Sequence, residues 1–66
     1  MKLLKTGDFS KLTGIPDYTI RRMTDRGLLH PTVSEGGRRY FGLQNIQEAK
    51  DIGILPIDFE LPEEYR

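Results

Sequence analysis

The stretch Phe9-Ser10-Lys11-Leu12-Thr13-Gly14-Ile15-Pro16-Asp17-Tyr18-Thr19-Ile20-Arg21-Arg22-Met23-Thr24-Asp25-Arg26-Gly27-Leu28-Leu29 decides the fold, because its apolar residues keep helical spacing on either side of a glycine-proline break. Phe9, Leu12 and Ile15 precede or reach the break and Ile20 and Met23 follow it, a pattern that suits two short helices sharing one small core. Asp8 or Ser10 is expected to start the first helix by accepting backbone N–H bonds, and Gly14 to end it in the left-handed conformation. Pro16 restricts Ile15 to extended backbone and can open a new helix, where its missing donor costs nothing. The second helix is expected over residues 16–26, with Gly27 as terminator. Its outer face carries Tyr18, Arg21, Arg22 and Asp25, while Ile20 and Met23 turn inward. A pair of helices so arranged is suited to placing the second in a DNA major groove.

A second stretch narrows the choice. Glu35-Gly36-Gly37 is a turn signal between Thr32-Val33-Ser34 and Arg38-Arg39-Tyr40-Phe41, two runs expected to pair as a hairpin. Alternation sends Arg39 and Phe41 to one side and Arg38 and Tyr40 to the other, so that Tyr40 or Phe41 anchors the hairpin and a neighbouring arginine is left for phosphate. Guanidinium suits that task because its fixed fork matches phosphate oxygens.

Formal net charge is zero over 66 residues, but the charges are segregated. Residues 1–42 hold eight lysines and arginines against four carboxylates, a net of +4, and residues 43–66 hold two against six, a net of −4. A basic face with an acidic tail turned away is compatible with nucleic acid, although with fewer phosphate contacts than a strongly basic domain makes. The length suits one small domain with a modest core. Without cysteine there is no disulfide and no thiolate metal site, which points to the cytoplasm. Met1-Lys2-Leu3-Leu4-Lys5 begins like a secretory leader but meets Gly7-Asp8, and no apolar run is long enough to span a membrane.

Beyond the hairpin, Leu43, Ile46 and Ala49 recur every three residues and predict a third helix that closes near Gly53 and packs on Leu12 and Ile20, with Asn45 outside the apolar stripe. Residues 1–53 are therefore read as one DNA-binding domain. Residues 54–66, with two prolines and apolar residues at Ile57, Phe59 and Leu61, are read as an acidic extended tail that lies along the domain or against a second copy. Lys2 and Lys5 fit either a basic arm or a strand carrying Leu3 and Leu4 into the core.

These residues resemble the DNA-binding domain of the mercuric-resistance-regulator (MerR-like) family and its relatives, the stand-alone BldC-type regulators and the excisionases. The family's Leu-Thr-Gly-Val-Ser, its Thr-Leu-Arg-Tyr-Tyr and its acidic residue before Gly-Leu-Leu correspond to Leu12-Thr13-Gly14-Ile15-Pro16, Thr19-Ile20-Arg21-Arg22-Met23 and Asp25-Arg26-Gly27-Leu28-Leu29. The wing pattern falls on Gly37-Arg38-Arg39-Tyr40-Phe41 and the opening of the next helix on Gln44-Asn45-Ile46. The resemblance covers residues 7–53 and implies a mainly α winged helix-turn-helix with a small β-hairpin. It also implies DNA contacts by Tyr18, Arg21 and Arg39. Arg22 and Met23 stand where the family has two aromatics. The family's pairing helix and effector domain find no counterpart within these 66 residues, so the resemblance is not expected to carry ligand sensing or promoter untwisting by a fixed dimer.

The candidate DNA-contacting set is therefore Tyr18, Thr19, Arg21, Arg22, Arg38, Arg39 and Tyr40. Against it stands the plainer reading that Arg21 and Arg22 are solvated charges paired with Asp17, Asp25 or Asp51, and that Tyr18 covers its own helix turn. His30 has no cysteine or second histidine with which to share a metal, and no cofactor is expected. Three functions compete: a sequence-specific DNA-binding protein, either a small transcription regulator or the detached reader domain of a longer one; an excisionase-like architectural factor that assists a recombinase; and a winged-helix module that binds protein and not DNA. The first is favoured, with double-stranded DNA as partner, further copies on repeated sites, and RNA polymerase or a recombinase as the candidate protein partners. No triad, metal cluster or phosphate-cradling loop supports an enzyme.

Overall fold

Three α-helices and one three-stranded antiparallel sheet organise residues 2–65, which the computed structural model describes. Met1 and Arg66, the latter counted in the charge of the tail, lie outside the described residues. In chain order the elements are β1 (Leu4–Lys5), α1 (Thr6–Thr13), α2 (Asp17–Asp25), β2 (Thr32–Val33), β3 (Arg39–Phe41) and α3 (Leu43–Asp51), with a final 3-10 turn at Glu63–Tyr65. The chain is thus mainly α with a small sheet, in the arrangement of a winged helix-turn-helix.

The turn between α1 and α2 is fixed by Gly14 and two hydroxyls. Gly14 has φ of 78°, where a Cβ would clash with its own backbone, and its N–H donates to the Ser10 carbonyl at 2.8 Å. Ser10 Oγ donates to the Ile15 carbonyl at 2.6 Å, and the Ile15 N–H donates to Thr13 Oγ1 at 3.2 Å. Ser10 is therefore a turn lock inside α1, and neither it nor Asp8 caps the helix: α1 starts earlier, at Thr6, and grows directly out of β1 with extended Lys5 in the capping position. Pro16, at φ −59° and ψ 144°, precedes the first turn of α2 as its sequence predicts. At the other end of α2 the Gly27 N–H donates to the Thr24 carbonyl and the Leu28 N–H to the Met23 carbonyl, the paired bonds of a Schellman ending.

The hairpin loop is Glu35-Gly36-Gly37, closed by the Ser34 N–H to the Arg38 carbonyl and the Gly37 N–H to the Ser34 carbonyl, both at 2.9 Å, with Gly37 at φ 79°. Ser34 belongs to this turn and not to the strand, where its hydroxyl accepts the Arg38 N–H at 3.2 Å. β1 adds a third strand to the expected two, pairing with β3 at Leu4↔Phe41 and Lys5↔Tyr40, while β2 pairs on its other side at Thr32↔Tyr40 and Val33↔Arg39. Of the two readings of the N-terminal segment, the strand is the one formed, with Leu4 packed on the core and Leu3 half exposed.

Phe9, Ile15, Ile20, Leu29, Phe41, Ile46, Ala49 and Leu55 form the core. The rings of Phe9 and Phe41, both without solvent exposure, stack at 5.0 Å between centroids and join α1 to β3. On α3 the expected stripe is rotated: Asn45 is buried with Ile46 and Ala49, whereas Leu43 is 55% exposed. At 100° per residue, positions 45, 46 and 49 share one face and position 43 lies about a third of a turn away. Asn45 is buried at no polar cost because its Oδ1 accepts the Gly42 N–H at 2.8 Å and its Nδ2 donates to Glu48 Oε1 at 2.8 Å. Glu48 in turn accepts the His30 backbone N–H at 2.9 Å, and its Oε2 lies 2.5 Å from Nδ1 of the exposed His30 ring.

The segment after α3 lies in part on this body. Leu55 enters the core, and Phe59 and Leu61 pack against it. Ile57, which simple alternation groups with them, is 86% exposed, because a turn closed by the Phe59 N–H on the Pro56 carbonyl breaks the alternation.

Phe41→Ala removes one half of the central stack, and a loss of about 3–5 kcal/mol is expected. That is comparable to the whole stability of so small a domain, so urea denaturation followed by circular dichroism should find the variant largely unfolded at 25 °C. A second expectation concerns acid. Burial raises the Glu48 carboxyl, but the His30 backbone N–H, the His30 ring, the Asn45 amide and the charge of His30 together hold it below the ordinary glutamate range. A carboxylate depressed on folding contributes stability above its unfolded pKa and loses it as pH falls through the folded one. Glu48→Gln should therefore cost about 1 kcal/mol at neutral pH and flatten the fall in melting temperature across the acidic range. Parallel melting curves for variant and wild type would contradict the role given to Glu48.

Candidate nucleic-acid interface

The side chains of α2 divide cleanly. Ile20 is buried and Met23 half-buried, while Tyr18, Arg21, Arg22 and Asp25, at three- and four-residue spacing, lie exposed on the opposite side together with Arg26, which caps the helix at its C-terminal end. With Asp17 these five line one shallow depression. Tyr18 is 71% exposed, a large solvent share for an aromatic ring on a helix that already has a buried face. Arg21, Arg22 and Arg26 form no ion pair among the described residues, so the pairing of Arg21 or Arg22 with Asp17, Asp25 or Asp51 does not occur. Thr19 stands apart: it is half-buried and does not line the depression.

The wing forms a second depression, lined by Lys5, Thr6, Gly7, Arg38, Arg39 and Tyr40. Its floor follows from strand order. Tyr40 is the middle residue of the central strand, paired with Lys5 on one side and Thr32 on the other, and is half-buried there. Phe41, not Tyr40, is the deep anchor. Arg38 extends from the end of the loop, exposed and without an ion pair among the described residues. Arg39 is exposed too, but it is engaged: its Nη2 donates to Asp25 Oδ1 at 3.0 Å, which ties the wing to the last residue of α2.

The two depressions meet at this pair, since Asp25 lines one and Arg39 the other. Along them stand six cations, Lys5, Arg21, Arg22, Arg26, Arg38 and Arg39, against the two carboxylates of Asp17 and Asp25. The structure thus gathers Tyr18, Arg21 and Arg22 on one surface and Arg38, Arg39 and Tyr40 on the adjoining one. Thr6 and Gly7 were not among the residues expected at the site, and Lys5 was expected to meet phosphate only in the reading of the N-terminus as a basic arm, not as part of a strand. Their only signal in the sequence is the lysine, because it is the register of β1 on β3 that brings them beside the wing.

Such a surface offers fixed, exposed cations and an aromatic ring without a nucleophile or a buried base. No group of three or more histidines, cysteines, aspartates or glutamates able to hold a metal occurs among the described residues, and none of their helices is long and apolar enough to cross a membrane.

Comparison with protein families finds one whose model, described as MerR HTH family regulatory protein, matches residues 4–55, from β1 to the core residue Leu55. No curated protein and no solved structure matches the chain. The family is one of non-catalytic DNA-binding regulators, and the match covers both helices of the helix-turn-helix, the wing and α3. With its exposed basic helix and wing on one continuous surface, the chain belongs to the MerR family of helix-turn-helix regulatory proteins.

Proposed function

We propose that the chain reads double-stranded DNA as a small transcription regulator, with α2 in the major groove and the wing on the flanking phosphates. The observation that carries this reading is the continuity of the exposed α2 face, with its unpaired Arg21, Arg22 and Arg26, and the wing depression that holds Lys5 and Arg38. In it Tyr18 and Arg21 or Arg22 lie near base edges, where hydrogen-bonding side chains separate one base pair from another, and the remaining cations grip phosphate. Arg38 and Arg39 hold the backbone at the flank, with the half-buried Thr19 and Tyr40 at the margins of the contact. Residues 1–53 form the DNA-binding unit, and the acidic 54–66 segment faces away from the duplex. A domain with so few cations gains selective occupancy by adding copies on neighbouring sites, since affinity accumulates over contacted phosphates and bases. A chain without cysteine suits the reducing cytoplasm.

Salt titrations of binding to a selected site and to random duplex test this division. Arg38→Ala and Arg39→Ala should weaken both by similar factors and flatten the salt dependence. Tyr18→Ala and Arg21→Ala should lose about 1–3 kcal/mol more on the selected site than on random DNA if each reaches a base. Binding indifferent to all four substitutions sinks the assignment. Permuted-site electrophoresis on the same complexes separates a regulator from an excisionase: strong multi-copy bending with recruitment of recombinase favours the latter.

A further inference from the structure

Asp25 occupies an unfavourable place. It is the last residue of α2, where the partial negative charge of the helix end repels a carboxylate. It also stands on the face that carries Arg21, Arg22 and Arg26, the surface turned toward DNA in the function proposed above. A polyanion approaching that surface meets a carboxylate whose side chain is 66% exposed. The compensation visible in the structure is Arg39, whose Nη2 donates to Asp25 Oδ1 at 3.0 Å across the junction of helix and wing.

We infer that Asp25 fills a phosphate subsite in the free protein and that a backbone phosphate of the duplex displaces it from Arg39. Carboxylate and phosphate present the same acceptor geometry to a guanidinium fork, so the group that holds one is shaped for the other. The position agrees with the exchange. Arg39 lies where the α2 depression meets the wing depression, and Lys5 and Arg38 line the same wing surface without an ion pair among the described residues. A phosphate arriving there gains three cations, one of which must first leave Asp25. Asp25 therefore acts as an internal competitor that lowers the affinity of each copy for any duplex. Because both partners of the pair are exposed, the exchange is shallow and runs readily in either direction. The inference rests on the proposed DNA-binding reading, and it adds a residue that sets affinity without touching a base.

The test is a salt titration of the full chain on a random-sequence duplex, with wild type, Asp25→Asn, Arg39→Ala, the double variant and Asp17→Asn. Asp25→Asn should bind about 2- to 5-fold more tightly at moderate salt, a factor set by the strength of exposed ion pairs. Its plot of log affinity against log salt should keep the wild-type slope to within a fraction of a unit, because Arg39 neutralises the same phosphate in both proteins. In the Arg39→Ala background the same substitution should give no such gain, and Asp17→Asn, which frees no arginine, should give a clearly smaller one. If Asp25→Asn is neutral or weakens binding, or if its gain persists without Arg39 or is matched by Asp17→Asn, the displaced-carboxylate subsite is wrong and only general charge is at work. A wild type that binds no duplex overturns the proposed function itself, and that result is distinct from all of these. Relief of the repulsion at the helix end keeps Asp25→Asn folded, and circular dichroism of each variant confirms this before titration.

Discussion

The stack of Phe9 on Phe41 holds the molecule in one piece. Phe9 belongs to the first helix of the helix-turn-helix and Phe41 to the central strand of the wing, 32 positions later, so their contact sets the angle at which the wing leaves the helices. Both rings are fully buried, which makes their area the largest apolar contribution available to a chain with so few aromatics. β1 then pairs with β3 beside Phe41 and runs directly into α1, closing a short circuit of strand, helix and strand around the two rings. Remove the stack, and α2 and the wing no longer share a frame.

Polar contacts refine what the stack establishes. Glu48 gathers hydrogen bonds from His30 and Asn45, and Asn45 accepts the N–H of Gly42, so the entry to β2 and the exit from β3 are both fastened to α3. The wing is thereby held at both roots while its loop stays exposed. On the opposite side Arg39 and Asp25 link the wing to the end of α2. A small core cannot rigidify a protruding hairpin by burial alone, and these charge-assisted bonds supply the orientation that the core lacks.

Much of this architecture is legible in the sequence because its signals are local. Gly14 before Ile15-Pro16 requires a turn, and the spacing of Ile20 and Met23 requires that Tyr18, Arg21 and Arg22 point away from the core. The position of α1 is less legible: it begins at Thr6 with no capping side chain, because the chain enters from a paired strand and strand pairing is not a local property. The burial of Asn45 and exposure of Leu43 were hidden for a related reason. A three-residue repeat fixes a helical stripe only within a third of a turn, and the partners of Asn45 decide which part of it turns inward.

By itself, then, the sequence determined the two helices, the hairpin, the segregation of charge and the cations available to a duplex, all consequences of backbone preferences and of residue spacing within an element. Tertiary structure decided which of those cations are free. Arg38 and Arg39 are neighbours of identical chemistry that line the same depression, yet Arg39 opens β3 while Arg38 still belongs to the end of the hairpin loop, and only Arg39 comes within reach of the end of α2. Arg39 meets Asp25 there, and Arg38 does not. That difference depends on the distance between two elements fourteen positions apart, which is set by the packing of Phe41 on Phe9 and appears in no local pattern.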